Sequence, residues 1–207
     1  MAEGWGWSMK VLVACEFSGI VREAFKAKGH DAWSCDLLPT EIPGQHIQGD
    51  VLEILNDGWD LMIAHPPCTY LTCASARYLN EQPNRRGLMV NASLFFKILW
   101  TADYYYNVKK ICIENPLPLK AAQLPPYTQI IHPYYFGEPF LKRTCLWIKN
   151  LPLLNSADKI LERPYPTGYC IKKNGRRYNY YYHQGKNSHE RSRTFRGIAN
   201  AMADQWG

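Results

Sequence analysis

The sequence predicts an α/β fold in which a doubly wound sheet carries helices on both faces. Three short apolar runs, at residues 11–17, 59–64 and 110–113, have the length and composition of buried strands. Each run is followed by a residue that ends a strand or begins a turn, namely Gly19, Pro66 and Pro116. Apolar strands that alternate with helical segments are typical of βαβ units.

The first predicted unit is a strand, a glycine turn, a helix and a second strand. Residues 11–17 form the strand, Gly19 makes the turn, and residues 20–28 show helical periodicity that stops at Gly29. The second strand, at residues 30–36, ends in Asp36. An acidic residue about twenty positions after such a turn is the nucleotide-binding arrangement, in which the carboxylate accepts hydrogen bonds from ribose hydroxyls.

The next two strands place a thiol and a carboxylate at one edge of the sheet. A proline cannot donate to a sheet ladder, so the strand at residues 59–64 ends before Pro66-Pro67 and leaves Cys68 at its carboxyl end. The strand at residues 110–113 leads in the same way into Glu114. Ligands bind at this edge of open α/β sheets. A thiol and an acid there suit attack on an electron-poor heterocycle.

Pro66-Pro67-Cys68 followed by Glu114-Asn115-Pro116 resembles the two catalytic motifs of the cytosine-C5 DNA methyltransferases. The resemblance extends through Phe136-Gly137-Glu138-Pro139 to residues 193–201 and so covers nearly the whole chain. It implies a Rossmann-like sheet that binds S-adenosylmethionine (SAM), with a small C-terminal β-hairpin. The chain is similar to compact, phage- or prophage-encoded members, because it has no room for the family's large target-recognition domain.

The resemblance also implies the roles of individual residues. Cys68 would add to C6 of cytosine, and Glu114 would hold the ring at N3 and the exocyclic amine. The implied catalytic set is Cys68, Glu114, Pro67, Asn115, Lys142 and Arg143. The implied SAM-binding set is Glu16, Phe17, Ser18, Gly19, Asp36, Leu37, Asp50, Val51, Pro66 and Asn200.

One motif departs from the family pattern. The family places two arginines after the Gly-x-Pro step, where this chain has Lys142, Arg143 and Thr144. Lys142 matches the first arginine in register, and Thr144 stands where the second should be. If residues 142–148 form a strand, neighbouring side chains face opposite sides, and Arg143 would point away from the site.

Two basic segments are candidate nucleic-acid contacts. Asn174-Gly175 between two strand-like runs predicts a hairpin with a type I′ turn, within an insertion at residues 150–190 of a single catalytic domain spanning 1–207. Basic groups near aromatic rings suit phosphates and unstacked bases, and a solvated hairpin is the alternative. The candidate contacts are Lys172, Lys173, Arg176 and Arg177 in the hairpin, and Arg77, Arg85 and Arg86 in the loop after Cys68.

The composition limits the partners, metal sites and cellular location that the protein can have. The chain has 207 residues and a net charge of +6, which is compatible with DNA as a polyanionic partner. Seven cysteines without a Cys-x-x-Cys pair argue against a zinc site and a disulfide framework. No apolar run can span a membrane and no signal peptide is recognisable, so we expect a cytoplasmic protein.

The sequence leaves open whether the protein has a recognition partner or forms a homodimer. Open alternatives for the activity are a free pyrimidine nucleotide or RNA as substrate, or a catalytically silent SAM- or DNA-binding regulator.

Overall fold

A computed structural model describes residues 7–73, 76, 78–156, 160–181 and 187–207. Its main feature is a sheet of seven strands. The strands are β1 (Lys10–Ala14), β2 (Asp31–Asp36), β3 (His46–Gln48), β4 (Leu61–Ala64), β5 (Lys110–Pro116), β6 (Gln129–Ile131) and β7 (Thr144–Lys149).

The strand order is β3-β2-β1-β4-β5-β7-β6. Strands β1 to β5 are parallel to one another, and β7 runs antiparallel to both β5 and β6. Strands β2 and β3 are added on one side of β1, whereas β4 and β5 are added on the other side, so the order of the strands reverses between β1 and β4. These two strands are hydrogen-bonded neighbours. Such a switch point is where open α/β sheets form ligand crevices.

Helices cover both faces of the sheet. The helices are α1 (Ile20–Lys26), α2 (Tyr78–Glu81), α3 (Arg85–Trp100), α4 (Ala102–Tyr105), α5 (Ser188–Ser192) and α6 (Arg196–Trp206). Alternate residues of β1 enter two separate cores: Val11 and Val13 pack with α1 and α6, whereas Leu12 and Ala14 pack with α3 and α4. The predicted Rossmann-like class, with helices on both faces, is therefore confirmed.

The predicted boundaries need two corrections. Strand β1 ends at Ala14, three residues early, because Cys15 turns the chain with a φ of 58°. Apolar residues at helical spacing between residues 91 and 106 predict one buried helix whose apolar face includes Leu94 and Tyr105, but this segment divides between α3 and α4. Leu94 and Tyr105, expected on the apolar face, are 54% and 68% exposed.

The predicted hairpin forms, but with a different turn. Strands β8 (Gly168–Ile171) and β9 (Arg177–Tyr180) pair antiparallel. A type I′ turn requires positive φ at both Asn174 and Gly175, and only Gly175 has it, at 75°. The Lys172 amide donates to Arg176 O and the Gly175 amide donates to Lys172 O. This pattern is a three-residue loop closed by a left-handed glycine, so the prediction of a type I′ turn was wrong.

Helix α6 lies very close to the segment that precedes β7. A Cβ at Gly197 would clash with the carbonyl oxygen of Phe136, and the Gly197 amide donates to Glu138 Oε1 at 3.2 Å. The two motifs at residues 136–139 and 193–201 are thus packed against each other. None of the helices in the described part of the chain combines the length and apolar character needed to cross a membrane.

Candidate active site

Two cavities open side by side at the carboxyl edge of the sheet, and Pro67 lines both of them. The first has a volume of about 400 Å³ and lies beside the ends of β1 and β2. The second has a volume of about 1100 Å³ and lies beside the ends of β4 and β5. Together they flank the switch point of the sheet.

The first cavity contains four of the predicted SAM-binding residues, namely Asp36, Leu37, Asp50 and Val51. The Leu38 amide donates to Asp36 Oδ1 at 2.9 Å, and the Leu52 amide donates to Asp50 Oδ1 at 3.0 Å. Both carboxylates are therefore held in place by neighbouring backbone. The remaining lining residues are largely apolar: Cys15, Cys35, Gly49, Pro67, Tyr70, Leu88, Asn91, Ala92 and Phe95.

The electrostatics of the first cavity favour a cationic or hydroxyl-rich ligand. Asp36 and Asp50 are its charged lining residues in the described part of the chain. Burial raises the pKa of the Cys15 thiol strongly, and the Asp36 carboxylate raises it further. Cys15 is therefore a neutral thiol at physiological pH and is not an activated nucleophile.

The turn after β1 is occupied by contacts within the protein. Glu16 is buried, and its carboxylate accepts from the amides of Val21 at 2.7 Å and Arg22 at 3.2 Å, which caps the start of α1. Ser18 Oγ donates to Glu16 Oε1 at 3.1 Å. Gly19 takes a φ of 73°, and a Cβ at this position would clash with the guanidinium of the buried Arg22. The Glu16 carboxylate of this turn therefore occupies the N-terminus of α1, where a bound anion could otherwise lie.

Five of the predicted SAM-binding residues are not among the residues that line the first cavity. They are Glu16, Phe17, Ser18, Gly19 and Asn200. The Phe17 ring contacts the His189 ring, with centroids 4.4 Å apart, and Asn200 is exposed on α6. Pro66, also predicted for SAM, lines the second cavity. Their roles toward a cofactor stay predictions.

The second cavity brings the whole predicted catalytic set together. Its lining includes Pro67, Cys68, Glu114, Asn115, Lys142 and Arg143. Cys68 follows β4 and Glu114 belongs to β5, and these strands are parallel neighbours. The convergence of a thiol, a carboxylate and two cations from three separate segments is a property of the tertiary structure.

Glu114 is held as a carboxylate by its neighbours. Burial raises the pKa of this carboxyl, but the hydrogen bond from His65, the charge of Lys142 and the hydrogen bond from Thr144 together lower it below its usual value. His65 Nδ1 lies 3.5 Å from Glu114 Oε2. His65 Nε2 and Asn115 Oδ1 are buried without a hydrogen-bond partner among the described residues.

The environment of Cys68 works against its ionisation. Loss of hydration raises the pKa of the thiol and the Glu114 carboxylate raises it further, whereas Lys142 and a backbone amide act in the opposite direction. The residue is exposed at the cavity surface. Lys142 therefore supplies the positive charge that favours both the thiolate and the ionised Glu114.

The Pro-Pro-Cys segment is fixed on both sides. Asn115 Nδ2 donates to the carbonyl of Pro66 at 2.7 Å, so the residue after Glu114 holds the segment that carries Cys68. On the other side, Arg85 donates to the carbonyl of Thr69 at 3.0 Å, and its guanidinium lies over the rings of Tyr70 and Tyr78. Arg85 thus has a positioning contact in the loop that follows Cys68.

The departure from the family pattern at residues 142–144 has a structural explanation. Strand β7 begins at Thr144, so Lys142 and Arg143 lie in the preceding loop and do not alternate. Both residues line the second cavity, because the condition under which Arg143 would point away, a strand that begins at residue 142, is not met. Thr144 is buried and hydrogen bonds to Glu114.

Several residues that line the second cavity carry no sequence signal. Arg163, His132 and the adjacent tyrosines come from segments without a motif. His65 could have been found, because it directly precedes the Pro-Pro pair. The lining residues that we did not predict are His65, Thr72, Cys73, Pro116, Leu117, His132, Tyr134, Tyr135, Phe140, Leu141, Arg163, Tyr178, Arg191, Ser192 and Phe195.

The predicted nucleic-acid contacts fall into three groups. Arg77 lies outside the described residues. Arg85 and Arg86 belong to the first turn of α3 and not to a loop. The four cations Lys172, Lys173, Arg176 and Arg177 are exposed at the hairpin tip, where Lys172 lies over the Tyr178 ring and Arg177 over the Tyr169 ring. In the described part of the chain, no group of three or more potential metal ligands is found.

Neither a scan against protein-family models nor a search of the curated proteins finds a match. Among solved structures, the chain is similar to an E. coli protein encoded within a prophage and described as a candidate DNA modification methyltransferase. The two are 17% identical with a TM-score of 0.43, and the alignment covers 68% of this chain and 46% of that one. The chain thus spans less than half of its neighbour, and a likeness this low carries no information about the substrate.

Proposed function

We propose that this protein transfers a methyl group from SAM to C5 of cytosine in DNA, through a covalent bond between Cys68 and C6 of the base. The observation that carries the proposal is the convergence of Cys68, Glu114, Lys142 and Arg143 on the second cavity, which adjoins the acidic first cavity at Pro67. A target base and a nucleotide-like donor bound in the two cavities would meet at the edge of the sheet.

The first cavity fits SAM in the residues that it offers. Asp36 is placed at the end of β2, where a carboxylate accepts from ribose hydroxyls, and Asp50 follows β3. Apolar side chains such as Leu37 and Phe95 would enclose an adenine ring. When bound, SAM supplies an electrophilic methyl group. The two carboxylates also suit the positive charge of its sulfonium.

In the second cavity, Cys68 is the nucleophile of the proposed reaction. Its thiolate forms a bond to C6 of cytosine, and the electron pair displaced from the C5–C6 double bond makes C5 nucleophilic. As C5 gains the methyl group, the proton that Glu114 passed to N3 during the addition returns to Glu114. Loss of the C5 proton to solvent water then restores the C5–C6 double bond, breaks the C6–sulfur bond and releases Cys68 as the thiolate. Lys142 favours the thiolate through its charge, and Asn115 holds the Pro-Pro-Cys segment in position.

Glu114 addresses the polar edge of the base. Its carboxylate accepts from the exocyclic amine of cytosine, which selects against a base with a carbonyl there. Addition of the thiolate places negative charge toward N3, which a proton must neutralise. Because Glu114, in contact with His65, is a carboxylate in the free protein, in this step it takes up a proton from solvent water in the cavity and passes it to N3, while its other oxygen still accepts from the exocyclic amine. His65 and Thr144 therefore position Glu114.

Incubation with tritiated SAM tests the proposal. The substrates are single-stranded DNA, duplex DNA, RNA and dCMP, and nucleoside chromatography identifies the product. We expect label in 5-methylcytosine from DNA. Label from dCMP or RNA alone would move the activity to the alternative substrates, and absence of label from every substrate would contradict an enzymatic function. The cytoplasmic location stays a prediction.

A further inference from the structure

The second cavity is larger and more aromatic than the binding of one base requires. Its volume of about 1100 Å³ exceeds the range of roughly 300–1,000 Å³ that is typical of a pocket enclosing one drug-sized ligand. Among the described residues, its wall contains six aromatic side chains besides His65: His132, Tyr134, Tyr135, Phe140, Tyr178 and Phe195. Cys68 and Glu114 account for only one part of this surface.

The aromatic side chains form two clusters. His132, Tyr134 and Tyr135 pack together, with the Tyr134 and Tyr135 centroids 4.5 Å apart. Phe140 and Phe195 form a second pair, with centroids 5.1 Å apart. A residue of the hairpin, Tyr178, also reaches the cavity and is 52% exposed. Tyr134 and Tyr135 are half-buried, so packing against neighbouring residues holds their rings in place at the cavity wall.

Cationic side chains are interleaved with these rings. Of the described residues, four cations, Lys142, Arg143, Arg163 and Arg191, and one carboxylate, Glu114, line the second cavity. Arg143 and Arg163 thus share a cavity wall with His132, whose pKa is lowered by burial and then by the charges of these two arginines. At the hairpin, Lys172 lies 4.7 Å from the Tyr178 ring centroid.

Alternating rings and cations suit a strand whose bases are not paired. Bases stack on aromatic side chains when their own faces are free, and cations then follow the phosphates. A duplex buries those faces against neighbouring base pairs, so it could not use rings that line the interior of a cavity. A single nucleotide would leave most of the wall without a contact.

We infer that the second cavity binds an unpaired, single-stranded stretch of DNA several nucleotides long, in which the target cytosine is one base. The inference rests on the proposed function for the chemistry at Cys68 and deepens it by naming the form of the substrate. Tyr178 stacks on a base beside the target, and Arg163 contacts the backbone. The protein would then not need to extract the base from a duplex.

Fluorescence anisotropy with a labelled 12-nucleotide strand tests the inference directly. We expect the single strand to bind more tightly than a duplex of the same sequence, and dCMP to compete poorly. Tyr178→Ala should weaken single-strand binding by at least about fivefold, because stacking on one ring is worth about 1–3 kcal/mol. Tyr178→Phe keeps the ring and should bind like the wild type. Arg163→Ala should weaken binding and flatten its salt dependence.

Two matched controls lie away from the cavity. Tyr104→Ala removes an 82% exposed ring on α4, and Lys109→Ala removes an exposed cation at the amino end of β5. Neither should change the affinity. Equal or tighter binding of the duplex, or an affinity that Tyr178→Ala leaves unchanged, would overturn the inference.

The binding assay is independent of catalysis, so the two proposals can fail separately. Tight single-strand binding that depends on Tyr178, without methyl transfer, would leave this inference standing and reject the proposed function. Methylation of duplex DNA as efficient as that of the single strand, and unaffected by Tyr178→Ala, would retain the proposed function and reject the inference.

Discussion

The two cavities are neighbours but differ in charge and in the kind of side chain that lines them. The first is small, apolar and acidic, with Asp36 and Asp50 as its charges. The second is nearly three times larger, is rich in aromatic rings, and carries four cations against one carboxylate. A cationic nucleoside such as SAM suits the first, and a polyanionic strand suits the second. The difference indicates a division of labour, in which each cavity electrostatically disfavours the other's ligand.

The largest expected effect that separates the cavities comes from Cys68→Ala. This change removes the nucleophile, so methyl transfer should fall to background, whereas SAM affinity measured by calorimetry should stay unchanged because Cys68 does not line the first cavity. Cys73→Ala is a matched control, since it removes another exposed thiol of the second cavity. Activity that survives in Cys68→Ala but not in Cys73→Ala would assign the nucleophile to Cys73.

Glu114→Gln should have the next largest effect, and it should change both the turnover and the pKa of Cys68. Turnover should fall by about 10²–10³, the usual loss for one group that stabilises developing charge. The Glu114 carboxylate raises the pKa of Cys68, so its removal should lower that pKa and shift the pH midpoint of Cys68 alkylation downward. Iodoacetamide labelling with peptide mapping measures the midpoint. An unchanged midpoint would mean that the two side chains do not interact.

Asp36→Ala tests the first cavity alone. Loss of charge-assisted hydrogen bonds worth about 1.5–3 kcal/mol should weaken SAM binding by about ten- to a hundredfold, without changing oligonucleotide affinity. Asp57→Ala removes an exposed acid outside both cavities and serves as the control. A parallel loss of oligonucleotide affinity in Asp36→Ala would show that the cavities are not independent.

The smallest expected effect concerns the hairpin tip. Substitution of Lys172, Lys173, Arg176 and Arg177 by Ala should flatten the plot of log affinity against log salt, by about 0.7 for each phosphate of a single strand that the protein no longer neutralises. SAM affinity should not change. The matched control replaces Lys26, Lys28, Lys97 and Lys109, which removes the same total charge elsewhere. Identical slopes in both quadruple variants would show that the hairpin tip is a solvated turn that does not contact phosphates.

The fold class and the positions of Cys68 and Glu114 at strand ends could be predicted because both depend on local signals. Apolar runs ended by proline or glycine place Cys68 and Glu114 at strand ends, and parallel strands then bring those ends to one edge. Thr144 and Arg143 were harder to interpret. Their positions depend on where β7 begins. Because the strand starts at Thr144 and not at residue 142, the alternation of side chains does not extend to Lys142 and Arg143.

The rest of the site depends on contacts between distant segments. His132, Arg163 and Tyr178 meet in one cavity although no motif marks any of them. The family resemblance implied a cofactor role for Glu16, which stays a prediction, and the local sequence did not reveal that its carboxylate caps α1. Whether a side chain is used internally or left for a ligand is decided by packing, and local sequence carries little information about it.

Intact-protein mass spectrometry of a trapped complex tests the central claim most directly. The wild-type protein is incubated with SAM and a single-stranded oligonucleotide that contains one 5-fluorocytosine, whose C5 has no proton to lose. The account predicts a covalent species with the mass of protein plus oligonucleotide plus one methylene unit, since a methyl group enters and the thiol proton leaves. Peptide mapping should place the bond on Cys68. A non-covalent complex alone, a bond to another residue, or an adduct without the added methylene would contradict the account.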